Sequence, residues 1–458
     1  MHLDFHYYLT LMACLEIGFD YYRCLQIAEF AQIVDETYNG GPKKKRVAGD
    51  NDQSYYWTID SWVRNGHVQR TVTKVASKQM VQKGKARGKW FNLSWTGFHF
   101  LPNLDDQPSN NPYRNTYRWA HQDLTSFDLR YLKGIVRKLD LDYEQKLICY
   151  PGSKLVTSML QDTESALKAK PPHGQVTYQP GGLRHWIGSG VERRVLEDFE
   201  NNVSRGAVSG QGFLDALVGL RLHVFADTWA HQGFAGPRSP RINDASMLKV
   251  GEGREQEVNV IDHKSAVDAG LGGKSVTPAS HYGHGNVLRY PDYPAYHYSY
   301  RRPFDRKSIT RNNPDEYSKA YGEVFNLLKK YDDSNPQYKA YMWTRNQFNP
   351  EKINSSFFRD HLSATSKYQR YKKLYGMIEK YLRNDHRKEI MYHLVKPADA
   401  EKDFGVIDHL RRDDSGKRKL AYFSLAARCH LAWIEKELNK VFKPDFNRYV
   451  QQNQTYKV

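Results

Sequence analysis

The chain has 458 residues, 40% of them hydrophobic and 26% charged, an ordinary balance for a globular protein and one that excludes a wholly disordered chain. Its formal charge of +17 points to polyanionic partners, such as nucleic acid, an anionic membrane surface or a phosphorylated substrate, with a basic protein merely kept soluble by its charge as the alternative. The four cysteines contain no C-x-x-C pair, which argues against both a disulfide framework and a cysteine zinc site.

The segment Met1-His2-Leu3-Asp4-Phe5-His6 lacks the basic start of a secretory signal, and no apolar run reaches membrane-spanning length. The expectation is a cytoplasmic protein, or one exported without a cleaved signal peptide. Apolar spacing predicts a helix from Leu3 to about Leu15, with Gly18 as its stop. Asp20 is placed to cap a second helix running to about Val34, which Asp35-Glu36 ends. Tyr38 to Pro42 reads as a loop, and Lys43-Lys44-Lys45-Arg46 after it is either a solvated basic run or an import-type signal.

From Ser61 to Phe98 the chain carries eight basic residues and no acidic one, interleaved with Trp62, Trp90, Phe91 and Trp95. Arg70, Lys74 and Lys78 share one helical face there, which suits a phosphate-rich polymer or lipid headgroups. A plain basic surface with its tryptophans turned inward fits as well. Residues 103–115 are turn-rich. Helical periodicity returns over Lys154–Lys168 and Val191–Val203, separated by Pro/Gly breaks.

The most informative stretch runs from Gly219 to Phe234. No proline occurs from Gln211 to Ala235, and apolar residues recur at helical spacing from Leu214. His223, Asp227 and His231 then fall at i, i+4 and i+8, on one slowly drifting stripe of the helix. Two imidazoles flanking a carboxylate suit a borderline divalent ion such as zinc. The alternative is a buried Asp–His network that satisfies itself, but three ionisable groups on an apolar helix each need a partner.

Residues 233–300 are rich in Gly, Pro, His and Tyr and read as irregular backbone around the mouth of a site. Beyond Asn313, helices are expected at about 316–331, 337–347, 365–382, 387–394 and 417–441. The predicted fold class is mostly α: a metal-binding helical core over residues 1–300 with a basic insertion near 61–98, and a helical region over 301–458 packed on it. Further metal-type residues are His6, Asp35, His99, His281, His284 and Asp292, enough with the central stripe for two or three ions.

Several blocks recur, in this order, in a bacterial family of unknown function that the chain resembles over most of residues 1–330. They are Asp4-Phe5-His6-Tyr7, Ala31-Gln32-Ile33-Val34-Asp35, Phe98-His99-Phe100-Leu101-Pro102, Leu222-His223 with Ala226-Asp227-Thr228-Trp229-Ala230-His231-Gln232-Gly233-Phe234, Gly283-His284-Gly285 and Pro291-Asp292. That family is in turn similar to the zinc-dependent phospholipase C and single-strand nuclease superfamily, all-helical phosphodiesterases that hold three zinc ions with His and Asp. The resemblance implies that His223 and Asp227 match the superfamily's helical His-x3-Asp pair, with Asp227 able to bridge two ions. It implies further that His231, His6, Asp35, His99 and His284 are ligands, and that Asp35 orients or deprotonates the attacking water. The superfamily's later His-x3-Glu helix has no counterpart in the sequence.

The implied activity is zinc-dependent hydrolysis of a phosphodiester, in a phospholipid headgroup or in nucleic acid. Arg221, beside His223, is a candidate phosphate contact or else a helix-surface residue. The rival class is a non-catalytic binding or delivered effector protein that keeps metal for stability. No specific protein partner is inferable, and no Gly-x-Ser-x-Gly elbow supports a serine hydrolase.

Overall fold

The computed structural model describes residues 1–36, 89–104, 146–168, 210–237, 239–243, 245–252, 283–287, 290–302, 308–330, 352–363, 366–382, 384–401 and 414–442, with the single positions 406, 410 and 446. The predicted helices at 191–203 and 337–347, the Arg70/Lys74/Lys78 face, the basic run at 43–46 and His281 lie outside these residues.

The described chain is mostly helical, and the helix Gly210–Ala230 (α5) is its axis. Every side chain of α5 from Gly212 to Thr228 is buried, which is what a helix apolar on all faces requires. Around it pack α2 (Tyr21–Glu36), α3 (Lys89–His99), α4 (Lys154–Lys168), α6 (Asn313–Lys329) and α9 (Asp414–Val441). The approach of α2 is the tightest. A Cβ on Gly219 would lie 2.4 Å from the carbonyl oxygen of Ile27 and 2.7 Å from the Cβ of Phe30. Only glycine lets the two backbones come that close.

The chain begins with a π turn, Asp4–Leu9, that runs into α1 (Thr10–Ile17). Gly18 closes α1 in the left-handed conformation, with its N–H donating to Cys14 and Leu15 carbonyls. The side chain of Asp20 accepts from the backbone N–H groups of Tyr22 and Arg23, so it caps α2 as its position predicts. Helices α7 (Lys367–Tyr381) and α8 (Asn384–His393) return to this N-terminal segment. Arg370 donates to the buried carboxylate of Asp4 at 2.9 Å, Tyr8 donates to the Val395 carbonyl, and Tyr21 to that of Ile390. Such long-range bonds among buried groups fix the N-terminal turn against the C-terminal helices.

One element departs from the irregular reading of 233–300. Ser246–Glu252 (β1), Tyr296–Arg301 (β2) and Ser308–Asn312 (β3) form an antiparallel sheet in the order β1-β2-β3. Tyr298 and Tyr300 alternate inward on β2, and Tyr300 stacks on Phe234 just beyond the end of α5, with ring centroids 5.5 Å apart. The sheet thereby braces the C-terminal end of the central helix. No described helix is long and apolar enough to cross a membrane.

Candidate metal centre

His223 and Asp227 lie one turn apart on α5, and His231 follows in the turn just past it, where its N–H still donates to the Asp227 carbonyl. The other side chains come from elements that converge on this stripe. The π turn brings His6, whose ring stacks on His223 with centroids 3.8 Å apart and whose Nε2 lies 3.2 Å from Asp227 Oδ1. A π turn at a functional position is a common device, because its extra residue re-aims the side chains around it. The last turn of α2 brings Asp35, with Oδ2 3.9 Å from His6 Nε2. The end of α3 brings His99, with Nδ1 3.0 Å from Asp227 Oδ2 and 3.4 Å from His223 Nε2.

His284 and Asp292 complete the site from the 283–292 region. His284 Nε2 lies 3.5 Å from Asp292 Oδ2, and His231 Nε2 lies 3.1 Å from Asp292 Oδ1. Phe100 stacks on the ring of His231 at 4.5 Å, and His284 stacks on the same ring at 4.8 Å. The ammonium of Met1 also enters, 2.6 Å from Asp227 Oδ1 and 3.1 Å from Asp292 Oδ1.

The seven residues that the sequence offers as candidate ligands, His6, Asp35, His99, His223, Asp227, His231 and His284, lie together at one place. They form three sets whose ligand atoms lie within 4.8 Å of one another: His6/His223/Asp227, Asp35/His99/His223 and His231/His284/Asp292. Asp292 stands among the metal-type residues of the sequence but outside the seven expected ligands, and nothing local marks it as the partner of His231 and His284. Arg221 is placed elsewhere. It is buried on α5 itself, where it faces α4 and α9, 3.8 Å from Asp162 and over the ring of Trp433, and so is neither a phosphate contact of this site nor a surface residue.

The donor set fits a metal in three respects. Tetrahedral zinc with bonds of about 2.0–2.1 Å separates neighbouring ligand atoms by about 3.4 Å; six His–Asp and His–His separations run from 3.0 Å to 3.5 Å, with His231–Asp227 at 3.7 Å and His6–Asp35 at 3.9 Å. His231 Nδ1 donates to the His99 carbonyl at 2.6 Å, so in the neutral ring Nε2 is a lone pair facing a carboxylate oxygen of Asp292. Two acceptors face each other there, an arrangement a cation between them satisfies. Finally, among the described residues neither ring nitrogen of His6 nor Nδ1 of His223, all buried, has a hydrogen-bond partner, although His6 Nε2 stands 3.2 Å from Asp227 Oδ1.

The electrostatics favour the ligating protonation states. Burial pushes the His6 imidazole down to about 3, reinforced by His223. Burial also lowers His99 to about 4, against the opposing pull of Asp227. Burial opposes ionisation of Asp227 and Asp292, but the Met1 ammonium and the neighbouring histidines outweigh it and hold both carboxyls well below the usual range. For the Met1 amine, burial works against the charge, yet Asp227, Asp292 and Asp35 raise it to about 11. Neutral imidazoles beside ionised carboxylates are the forms that bind metal.

Asp227 turns Oδ1 towards His6 and the Met1 ammonium, and Oδ2 towards His99 and His223. A carboxylate so placed is a bridge between two ligand sets. Access differs among the sets. The side chains of Asp35, Asp292 and His284 are 14%, 15% and 16% exposed, whereas those of His6, His223 and Asp227 are at most 2% exposed. Solvent thus reaches the centre at Asp35 and at His284 and Asp292.

Neither the curated proteins nor the solved structures contain a match to this sequence. A model of one protein family, described only as a family of unknown function, matches residues 1–178 and 191–438. With nearly the whole length matched, this chain is a member of that family, DUF6765.

Proposed function

We propose that the protein is a metal-dependent phosphodiesterase, with zinc as the expected ion, acting on a phospholipid headgroup or on nucleic acid. The observation that carries the reading is the convergence of three His/Asp sets on one place, two of them holding partly exposed side chains. The residues that would hold the ions are His6, His223 and Asp227 for one set, Asp35, His99 and His223 for the second, and His231, His284 and Asp292 for the third. In this reading the fold is of the phospholipase C type, with His284 and Asp292 supplying the third set without a His-x3-Glu helix. When bound, such ions supply a water acidified to near neutral pKa and positive charge opposite the phosphoryl oxygens.

The protein's own groups then have separable tasks. Asp35 is the partly exposed carboxylate nearest His6 and is placed to orient the attacking water and accept its proton. Asp227, ionised and bridging, keeps two ligand sets in register. Phe100 covers one face of His231 and keeps water off it. The net charge of +17 raises the local concentration of a polyanionic substrate.

The test has two stages. Metal content of the purified chain should be two or three zinc ions, and the loaded protein should hydrolyse bis(p-nitrophenyl) phosphate; Asp35→Asn should bind zinc more weakly at its set and keep a lowered kcat when excess zinc restores the wild-type metal content. Vesicle and single-stranded nucleic-acid substrates then separate the two substrate classes. The near-complete burial of His6, His223 and Asp227 also suits a structural ion, and so favours a second reading: a non-catalytic protein stabilised by metal. Bound zinc without any phosphodiester hydrolysis would support that reading and refute the first.

A further inference from the structure

The third ligand set draws His231 and Asp292 from segments far apart in sequence, and neither lies inside a long element. The junction between β3 and α6 holds both. Arg311, at the end of β3, is buried and aims its guanidinium at the last carbonyls of α5. Its Nη1 donates to Gln232 O at 2.8 Å, and its Nη2 donates to Trp229 O at 2.9 Å and Ala230 O at 3.2 Å. These carbonyls flank His231 on both sides. Glu316, in the first turn of α6, accepts from Arg311 Nε and Nη2 and fixes the guanidinium plane.

Two residues further on, Asn313 opens α6 and uses both amide hydrogens on the turn that carries Asp292. Its Nδ2 donates to Tyr290 O and to Tyr293 O, each at 2.6 Å. Both partners are carbonyl oxygens, so the amide orientation is fixed by its surroundings. Tyr317, one turn along α6, donates to the carbonyl between them, Pro291 O, at 3.1 Å. One short junction therefore ties down three carbonyls around His231 and three around Asp292.

The geometry points to Arg311 and Asn313 as positioning residues for the ion held by His231, His284 and Asp292. This rests on the metal reading given above, and it adds a division of the centre. The His6 and His99 sets are built on the N-terminal segment, α2, α3 and α5, whereas the third set depends on the β3–α6 junction. Outer contacts that orient ligands typically govern metal affinity by about 10–100-fold.

The experiment loads the full-length, metal-free chain with zinc and titrates it against a chromophoric chelator. Wild type is compared with His284→Ala, Asn313→Asp, Arg311→Lys and Arg311→Ala, the last with and without sub-denaturing guanidinium chloride. His284→Ala removes a ligand of the third set and identifies its ion. The expected result is that Asn313→Asp, which turns a carboxylate oxygen towards two carbonyls, weakens that same ion at least about 10-fold and leaves the others at wild-type affinity. Arg311→Lys should do likewise, and guanidinium should restore the affinity of Arg311→Ala, a rescue that general loss of stability would not show. If an Arg311 variant does not fold, Asn313→Asp decides the matter alone. Wild-type affinity in Asn313→Asp and Arg311→Lys, with an ion lost in His284→Ala, overturns the inference and leaves the metal reading standing. A wild-type chain that takes up no zinc overturns both.

Discussion

Replacing Gly219 by alanine tests how the centre is assembled, because two opposite effects compete at that position. In an unconstrained helix interior the change is favourable by about 1 kcal/mol, since alanine loses less backbone entropy than glycine. Here the new Cβ would lie 2.4 Å from Ile27 O, 2.7 Å from Phe30 Cβ and 3.1 Å from Ala31 N. Restoring an ordinary contact of about 3.4 Å to the carbonyl needs a separation of roughly 1 Å between α2 and α5. The carbonyl belongs to a helix and cannot swing aside, so the helices must part. Overpacking of this kind costs about 1–3 kcal/mol, which outweighs the propensity gain. The same movement draws Asp35, two turns along α2 from Ile27, away from His99 and His223. Urea denaturation should give Gly219→Ala a lower midpoint at an unchanged slope, and chelator titration should show weaker binding at the Asp35 set. A variant as stable as wild type or more so would refute the close-contact argument.

Other consequences follow from buried groups. His430 is buried, donates from Nε2 to Gly97 O at 2.9 Å, and is pushed down to about 3 by burial and then by the Arg221 charge. Its folded pKa lies below the ordinary 6.5, so its contribution to stability is full above pH 6.5 and is lost as pH falls towards 3, the slope approaching about 1.4 kcal/mol per pH unit. Stability curves of wild type and His430→Gln should converge below pH 6.5, and parallel curves would contradict the assignment. Gly283 has φ of +52°, and a Cβ on it would lie 2.4 Å from Phe100 Cζ, so Gly283→Ala should cost on the order of 2 kcal/mol and displace His284. Circular dichroism melts and zinc titration would detect both effects. All four cysteines are buried, and burial raises the thiols of Cys24 and Cys149 well above their usual range and that of Cys429 to about 12. A thiol-reactive chromogenic reagent should label none in the native protein and four after denaturation.

The parts of this structure that were legible in the sequence are the local ones. The stripe of His223, Asp227 and His231 is a consequence of 3.6 residues per turn, and Asp20 and Gly18 act through hydrogen bonds within a few residues of themselves. The helices at 313–329, 367–381, 384–393 and 414–441 follow the apolar periodicity to within a few residues at either end. The sheet was hidden because its strands are short and separated by turn-rich chain, although Tyr296, Tyr298 and Tyr300 carry a period of two. Asp292 is legible as a metal-type residue, but its partners were hidden for a different reason. Its role depends on His231 and His284 and on the carbonyls held by Asn313, and no window of the sequence contains them together. Arg221 shows the same limit from the other side, since its burial is decided by α4 and α9.

Charge gives the strongest general argument for cations at this centre. Asp35, Asp227 and Asp292 bring three carboxylates to one partly buried site, and the ionised forms of Asp227 and Asp292 are favoured there. Facing Asp227 and Asp292 stands the ammonium of Met1, while burial holds His6 and His99 neutral. Removing carboxylates from water costs several kcal/mol per ion unless each meets a positive partner. Neutral imidazoles offer lone pairs rather than charge. A self-satisfying Asp–His network would instead need its histidines protonated, and burial opposes that at His6 and His99. A divalent ion would meet both needs together, because it would add positive charge beside the carboxylates and accept the lone pairs of the same imidazoles.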